Sequence, residues 1–505
     1  KMNSMMKKSL LTLFLAFMII CSSYSQKRYL EPVFSGVTKN TLIYGYNFHI
    51  LFVPVTGHST LQPLVADVYT PNGDTETKRP LVIYFHSGDF LPHPQNQSIS
   101  GKRSDSTVVE MSRRLSKMGY VVASADHRLG WNPVAPEQDA RVNTLINAAY
   151  RGVQDANSAI RFFKLNAETF GIDTNKIILW GQGTGGYITL NTGALDKYSE
   201  IVTTTSPESK FIGTNGFPMV IEQFNGNISG TTLGKNPQNG DTLNLPGNIG
   251  PSNKFQLIVN MGGAMGDISW MDENTPPVIS FQTTNDPFAP YKDDVLIVPG
   301  PNLPVVQVQG AYVIQQKAKE LGLNAAFADH EFIDPLSVYI SSINEGNEGL
   351  FPMYKANRFD SSPWDYWDRA TNANDTTGIK TNPDMSYSKA SLYMDSIINY
   401  VAPRACLVLD LGCDLTGILS SKTITADNAG LIAMPNPAKD FVTILSDNRT
   451  IKGIVIYDAA GRTIKAIPNV NSNKYELQRN NLPAGVYYAQ VRFEKENATV
   501  KLMFN

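Results

Sequence analysis

The chain has 505 residues, of which 42% are hydrophobic and 17% charged, so it has enough apolar material for two or three folded domains. A net charge of −2 excludes the strongly basic surface that recruits nucleic acids or anionic membranes. Three cysteines are too few for a disulfide scaffold or a cysteine-based zinc site, and six histidines leave few candidates for acid–base chemistry. We therefore expect no cofactor, no metal and no nucleic-acid partner.

The first 25 residues have the pattern of a secretory signal peptide. Two lysines precede an apolar run at residues 10–21, and small polar residues follow it. The run is too short to cross a bilayer, and no later segment is long and apolar enough to do so. We expect cleavage after Ser25, which leaves Cys406 and Cys413 in an exported protein. These two cysteines form either a short-loop disulfide or two buried thiols.

Strand-like and helix-like segments alternate from about residue 41 to about residue 401. Short apolar runs predict buried strands at residues 81–85, 120–124, 176–180 and 277–281. Amphipathic stretches between them predict helices at residues 108–118, 148–170 and 310–321. This alternation predicts an α/β fold with a mostly parallel sheet covered by helices. Ligand sites in such folds lie at the carboxyl ends of the strands.

The C-terminal part of the chain has a different composition. Residues 417–430 are rich in Ser, Thr, Asp, Asn and Gly, which predicts a linker. Short alternating segments then recur through residues 431–505, separated by turn signals, and they predict a small antiparallel β-sandwich. This part contains no Trp, Cys or His, so we expect no chemistry in it.

Three motifs in this tail keep a recognisable order. They are Met434-Pro-Asn-Pro437, Ile456-Tyr-Asp458 with Gly461-Arg462, and Leu482-Pro-Ala-Gly-Val-Tyr487. Residues 431–505 closely resemble the C-terminal sorting domain of the type IX secretion system. The resemblance implies a Bacteroidetes-type export route through the periplasm to the medium or the outer cell surface, with the secretion machinery as partner. The alternative is an Ig-like module that binds sugar or a neighbouring protein.

The earlier part of the chain contains segments typical of a hydrolase. Trp180-Gly-Gln-Gly-Thr-Gly-Gly186 follows a predicted strand and opens a predicted helix, as the G-x-S-x-G nucleophile elbow does. His86-Ser-Gly-Asp-Phe90 is similar to an H-G-G-G-F oxyanion loop, and Thr283-Thr-Asn-Asp-Pro287 to the segment that supplies the catalytic acid. Residues 27–416 therefore resemble a carboxylesterase-like α/β-hydrolase.

The resemblance assigns a role to each position of the elbow and the oxyanion loop. The nucleophile position is Gly183, which has no side chain and cannot attack an acyl carbon. Ser87, Gly88 and Thr184 take the positions of the oxyanion hole. The hydroxyl of Thr184, next to the vacant position, is an alternative nucleophile.

The other two members of a catalytic triad are assigned with alternatives. Asp286 takes the acid position, and the alternative is an ordinary turn aspartate before Pro287. His330 follows Asp286 in chain order and is the candidate base. We expect it directly after the last core strand, at residues 325–329, where it is either a base facing Asp286 or a structural residue.

An aromatic segment is the candidate for substrate binding. Trp364, Tyr366 and Trp367 lie within four residues and suit stacking on a sugar ring or an aromatic acyl group. The alternative is a cap that packs onto the core. The acidic pairs Asp293-Asp294 and Asp365/Asp368 could contact a cation, but they do not have the spacing of a metal site, so we interpret them as solvated carboxylates.

Three functions remain open at this point. The first, which the sequence favours, is a secreted esterase-like protein that binds an ester- or sugar-like ligand with weak or no hydrolysis. The second is an active carboxylic-ester hydrolase that uses water or Thr184 with His330 and Asp286. The third is a surface adhesion or structural protein. The first two predict an open pocket bounded by Ser87, Gly88, Gly183 and Asp286, with Trp364 as a further candidate, and the third predicts a pocket filled by side chains.

Overall fold

The structure, a computed structural model, describes residues 27–505 except for residues 94, 204–208, 299–300, 355–359, 368–377, 380–381, 384, 421, 460, 481 and 494–495. The predicted signal peptide, residues 1–25, lies outside the described residues. The chain divides into two compact units. The first extends to Asp329 and resumes over Asp334–Leu415, and the second comprises His330–Ile333 and Thr416–Asn505.

The first unit is built on a mostly parallel sheet. Its strands are β1 Val37–His49, β2 Thr60–Pro71, β3 Arg79–Phe85, β4 Val121–Ala125, β5 Ile172–Gln182, β6 Gly234–Lys235, β7 Thr242–Asn244, β8 Leu257–Met261, β9 Val278–Thr283, β10 Asp293–Val298, β11 Leu303–Gln309 and β12 Leu350–Met353. Eight of these form one sheet in the order β1-β2-β4-β3-β5-β8-β9-β12. Strand β2 is antiparallel to β1 and β4, and the remaining neighbours are parallel.

Helices connect and cover these strands. They are α1 Val53–Thr56, α2 Ser106–Lys117, α3 Gln138–Leu165, α4 Ala167–Phe170, α5 Thr184–Ala194, α6 Ser199–Val202, α7 Glu222–Asn225, α8 Ala311–Glu320, α9 Ala325–Ala328, α10 Pro335–Ser341 and α11 Tyr387–Val408. The predicted α/β-hydrolase class, a mostly parallel sheet flanked by helices, is confirmed. Within the described residues, no helix combines the length and apolarity that a membrane span needs.

The predicted core strands follow from burial on both faces. All but the first residue of β3 and every residue of β4 and β9 are buried, which explains why apolar residues occupy adjacent positions in these strands and do not alternate with exposed polar ones. The four strands predicted from apolar runs correspond to β3, β4, β5 and β9. Helix α3 begins at Gln138 rather than at residue 148.

One predicted strand is wrong. Residues 325–329, expected to be the last core strand before His330, form the short helix α9. Alanine has the highest helix propensity, and only Phe327 of this helix is buried. The sheet instead ends at β12, which is buried along its whole length and pairs in parallel with β9. His330 therefore does not follow a strand.

The second unit is a β-sandwich, as predicted. Its strands are β13 Lys422–Ile424, β14 Leu431–Met434, β15 Phe441–Ser446, β16 Ile451–Asp458, β17 Thr463–Ser472, β18 Lys474–Gln478, β19 Gly485–Arg492 and β20 Glu496–Phe504. They form a five-stranded sheet, β13-β20-β19-β16-β17, and a three-stranded sheet, β14-β15-β18. Alternate residues of β15, Val442, Ile444 and Ser446, are buried, which is the period-two pattern of a half-covered strand.

The two cysteines of the described chain are joined. Cys406, near the end of α11, forms a disulfide with Cys413, with their Cα atoms 6.0 Å apart. Of the two alternatives that the sequence left open, the structure has the disulfide. A disulfide fits a protein that leaves the reducing cytosol.

Candidate active site

Three strand ends meet at one edge of the sheet and open into a cleft of about 1530 Å³. Ser87 and Asp89 line it from the loop after β3, Gly183 and Thr184 from the turn after β5, and Asp286 from the loop after β9. Parallel strands bring their carboxyl ends to the same edge, so the motifs that the sequence placed after separate strands become neighbours. This cleft is the candidate site.

The turn after β5 has the backbone of a nucleophile elbow. Gly183 has φ 53° and ψ −115°, a left-handed region that residues with a side chain rarely adopt. Its N–H donates to the carbonyl of Met261 at 2.7 Å, and the N–H of Tyr187 donates to the Gly183 carbonyl at 3.2 Å. A Cβ on Gly185 would lie 2.0 Å from the carbonyl oxygen of Phe85, so α5 can approach β3 only with glycine there.

The loop after β3 is attached to this turn by two hydrogen bonds. The N–H of Gly185 donates to the carbonyl of His86 at 3.1 Å, and the N–H of Asp89 donates to Oγ1 of Thr184 at 2.6 Å. Because the Thr184 hydroxyl is engaged in joining the two loops, it is poorly placed to act as a nucleophile. In the described part of the chain, the backbone N–H groups of Gly88 and Thr184 have no acceptor, which suits an oxyanion hole.

Asp286 has no histidine partner in the described residues. Its Oδ1 accepts hydrogen bonds from the backbone N–H groups of Phe288 at 2.8 Å and Ala289 at 3.2 Å. Burial raises the pKa of Asp286 to about 8, and the carboxylate of Asp89 contributes to the rise. His330 belongs to the second compact unit, whereas Asp286 belongs to the first. The role of His330 as a base for Asp286 therefore stays a prediction.

Two further carboxyl groups line the cleft: Asp89, which was not identified from the sequence, and Asp365, which the sequence predicted to be solvated and which is buried instead. Burial raises the pKa of Asp89 to about 6 and that of Asp365 also to about 6, although Nε2 of Gln182 donates to Asp365 at 2.7 Å and opposes the rise. A carboxylate directly after a buried strand, in Ser87-Gly88-Asp89, was the available signal for the first. For the second, the pair Asp365/Asp368 indicated only an acidic segment, because the burial of Asp365 depends on Gln182, which is distant in sequence.

Two histidines beside the cleft are structural. The rings of His86 and His127 stack with centroids 4.6 Å apart. Burial lowers the pKa of His86 to about 4 and that of His127 to about 3, so both are neutral at physiological pH. Nδ1 of His86 donates to the carbonyl of Ser87 at 2.6 Å, which holds the oxyanion loop rather than a substrate.

The aromatic segment does not line the cleft. Trp364 is fully buried and its ring lies against Gly262, and Trp367 is also buried. Tyr366 packs edge-on against Tyr387 with ring centroids 5.1 Å apart. These positions fit the alternative of a cap packed on the core, and ligand stacking by this segment is not supported. Asp365, between the aromatic residues, does reach the cleft.

The charge of the cleft is acidic. Among the described residues, its lining contains one lysine, Lys292, and five aspartates, Asp89, Asp286, Asp293, Asp294 and Asp365. In the described residues, no group of three or more His, Cys, Asp or Glu side chains is arranged to hold a metal ion. The excess of carboxylates favours a neutral or cationic ligand over an anionic one.

Comparison with known proteins gives two family matches. The BD-FAE family matches residues 66–298, and the family described as "Secretion system C-terminal sorting domain" matches residues 433–505. The first match covers the motifs after β3 and β5 together with Asp286. The predicted resemblance to an esterase-like hydrolase with a type IX sorting domain is thereby confirmed, as is the predicted secreted or outer-surface location.

Individual relatives are more distant. Gut esterase 1 of Caenorhabditis elegans is 27% identical over 149 residues, which is 29% of this chain and 24% of that protein. The chain thus spans about a quarter of the length of this curated relative. Among solved structures, Thermogutta terrifontis esterase 2 phosphoramylated by tabun matches at 13% identity and a TM-score of 0.32, over 63% of this chain and 83% of that one. The same esterase phosphonylated by sarin matches at 14% identity and a TM-score of 0.30, over 64% and 86%.

Proposed function

For a secreted or outer-surface protein that joins a BD-FAE esterase-like domain to a type IX sorting domain, we propose ligand binding without serine-based acyl transfer. The ligand is an ester- or sugar-like molecule held in the cleft. The observation that carries this proposal is the elbow itself, where Gly183 has the required backbone and no side chain. Within the first unit, Asp286 accepts hydrogen bonds from the backbone N–H groups of Phe288 and Ala289 and from no described histidine, which also favours binding over acyl transfer.

The lining of the cleft supports a neutral ligand rich in hydroxyl groups. Besides the aspartates, one wall carries amide and hydroxyl side chains, namely Gln95, Asn96, Gln97, Ser98 and Ser100. Amides and carboxylates together donate to and accept from sugar hydroxyls. A uronic acid or another anion would be repelled by those of the lining aspartates that are ionised, such as the exposed Asp293 and Asp294.

The size of the cleft supports binding over a purely structural role. An adhesion or structural protein built on a disused hydrolase fold would be expected to fill its old pocket with side chains. The cleft instead has a volume of about 1530 Å³. That volume exceeds the few hundred cubic ångströms of a typical small-molecule pocket, so it suits an oligomeric ligand.

The proposal is tested on the full exported chain. We expect hydrolysis of p-nitrophenyl acetate and butyrate to be no faster than with the Asp286→Ala variant. Calorimetric titration should detect binding of neutral oligosaccharides, with or without O-acetyl groups, and no binding of uronic-acid oligomers. Ester turnover that disappears in Asp286→Ala, or failure of the whole neutral panel to bind, would contradict the proposal.

A second candidate is water-based ester hydrolysis by two carboxyl groups. It is favoured by the difference between two pKa values, about 6 for Asp89 and about 8 for Asp286. Two carboxyl groups with different pKa values can act as base and acid at the same pH. Ionised Asp89 would take a proton from the attacking water, and protonated Asp286 would give one to the departing alcohol. The products are a carboxylic acid and an alcohol.

This candidate makes its own prediction. Activity would require Asp89 ionised and Asp286 protonated, so the pH profile would be bell-shaped with a maximum at about pH 7. Asp89→Asn would abolish turnover, while Asp293→Asn, at an exposed position of the same cleft, would not. A profile that rises continuously with pH would reject the pair and indicate simple hydroxide attack.

A further inference from the structure

The space beside Gly183 is already occupied. A Cβ placed on Gly183 would lie 2.5 Å from Oγ of Ser87 and 3.1 Å from Cβ of Ser87. Real Cβ atoms essentially never come as close as the first distance, and the second is also tighter than usual. The side chain of an elbow residue would therefore begin where the Ser87 hydroxyl now lies.

Rotation of Ser87 alone does not clear this space. Turning the hydroxyl away removes the closest contact but leaves the Ser87 Cβ at 3.1 Å. The backbone of the loop is held on both sides, since His86 Nδ1 donates to the Ser87 carbonyl at 2.6 Å and the Gly185 N–H donates to the His86 carbonyl at 3.1 Å. The loop can retreat only by stretching these hydrogen bonds.

The two positions have exchanged their residue types relative to the motifs that they resemble. A site with a serine nucleophile would have serine at residue 183 and glycine at residue 87, whereas this chain has glycine at 183 and serine at 87. We propose that Ser87 has taken over the side-chain space of the elbow: it disfavours a side chain at residue 183, and its hydroxyl is the one that a ligand in the cleft meets.

The Ser87 hydroxyl is suited to binding. The residue is half-buried, lines the cleft, and has no side-chain hydrogen-bond partner in the described part of the chain. A hydroxyl both donates and accepts, so it can bond to a ligand carbonyl or hydroxyl. Without an adjacent base it is a weak nucleophile. The ligand contact rests on the proposed function, while the exclusion at residue 183 does not.

A double-mutant cycle on the full chain tests the exclusion. We expect Gly183→Ala to lower the melting temperature by about 3 °C more in the native background than in the Ser87→Gly background, because overpacking adds to the cost of the left-handed φ only when Ser87 is present. Gly216→Ala is the matched control: Gly216 has φ 77°, and its Cβ would meet nothing within 4 Å. Gly216→Ala should lower the melting temperature by the same amount in both backgrounds.

The direction of the Ser87 side chain is tested with a thiol. Ser87→Cys should be alkylated by iodoacetamide under native conditions and identified by mass spectrometry. Ser112→Cys, at a fully buried position of α2, should react only after unfolding. Equal costs of Gly183→Ala in the two backgrounds, or an unreactive thiol at residue 87, would overturn the proposal. Neither measurement uses a ligand or turnover, so both outcomes are independent of the proposed function.

Discussion

Two groups of polar residues meet at the carboxyl edge of this sheet, one buried behind the loops and one partly exposed to the cleft. Behind the loops, Nε of Arg128 donates to Asp155 at 2.8 Å, and the same guanidinium donates to Gln154 at 2.9 Å. Facing the cleft, Asp89 and Asp286 have no cationic partner in the described residues, and burial raises the pKa of both. The charges of the first group are compensated by other protein groups. The carboxyl groups of the second have no such partner and are available to bind a ligand.

The loop that contains the compensated Arg128 helps to hold Asp89 in position. Arg128 belongs to the loop after β4, and two residues later the N–H of Gly130 donates to the carbonyl of Phe90 at 2.8 Å. Asp89 and Phe90 both have positive φ, at 57° and 51°, which non-glycine residues adopt only when their surroundings hold them there. A structural ion pair therefore supports a strained loop that presents a carboxyl group to the cleft.

The largest expected effect comes from breaking the compensated pair. Asp155→Asn keeps the shape of the side chain but leaves the Arg128 charge buried without a counter-ion, so we expect a loss of about 3–5 kcal/mol in the free energy of unfolding. Urea denaturation measures it. Asp395→Asn is the control, because Asp395 pairs with Arg114 at 2.6 Å on the surface and should contribute less than about 1 kcal/mol. Similar losses in both variants would mean that Arg128 is compensated by its neutral partners alone.

The sequence is most informative about this molecule where backbone packing determines the residue type. Continuous apolar runs predicted β3, β4, β5 and β9, and glycine spacing predicted the elbow, since Gly185 is required by the contact with Phe85. The role of Asp89 was not predictable, because a carboxyl group in a loop has the same appearance whether solvent or protein surrounds it. Its environment is created by α5 and the loop after β9, which are distant in sequence.

The aromatic segment and the candidate base His330 are residues whose roles the sequence alone could not determine. Trp364 and Trp367 are as suited to a core as to a sugar ring, and only the folded chain distinguishes the two. His330 was selected by chain order, although order along the chain does not determine which unit a residue joins. Side-chain roles that depend on long-range neighbours were therefore the part that sequence reasoning could not determine.

The stacked histidines give the second prediction, which concerns acid stability. The pKa of His127 is about 3 in the folded chain, so below its ordinary value of 6.5 the unfolded state binds the extra proton and stability falls as pH decreases. Between pH 6.5 and about 4 this amounts to about 3 kcal/mol. His127→Phe, which suits a ring lying between Phe85 and Phe90, should remove that part of the decline.

Denaturation at a series of pH values measures this difference. A profile of His127→Phe that parallels the native one would show that other groups, and not this histidine, cause the loss of stability in acid.

The smallest effect is expected at the uncompensated group, and it has the opposite sign. Because the pKa of Asp286 is raised to about 8, ionisation of the unfolded chain makes the native state progressively less favourable from about pH 4 to pH 8. Asp286→Asn retains an oxygen for the N–H groups of Phe288 and Ala289 and carries no charge. We expect it to be more stable than the native chain by roughly 2 kcal/mol at about pH 9, with solvent screening taken into account, and nearly equal at about pH 4.

Asp293→Asn, an exposed change in the same cleft, should leave the pH profile unaltered. A gain confined to Asp286 would mean that the protein retains a destabilising carboxyl group in the cleft, as expected if that group serves a ligand and not the fold. A loss at both ends of the pH range would instead assign Asp286 to the structural group with Asp155.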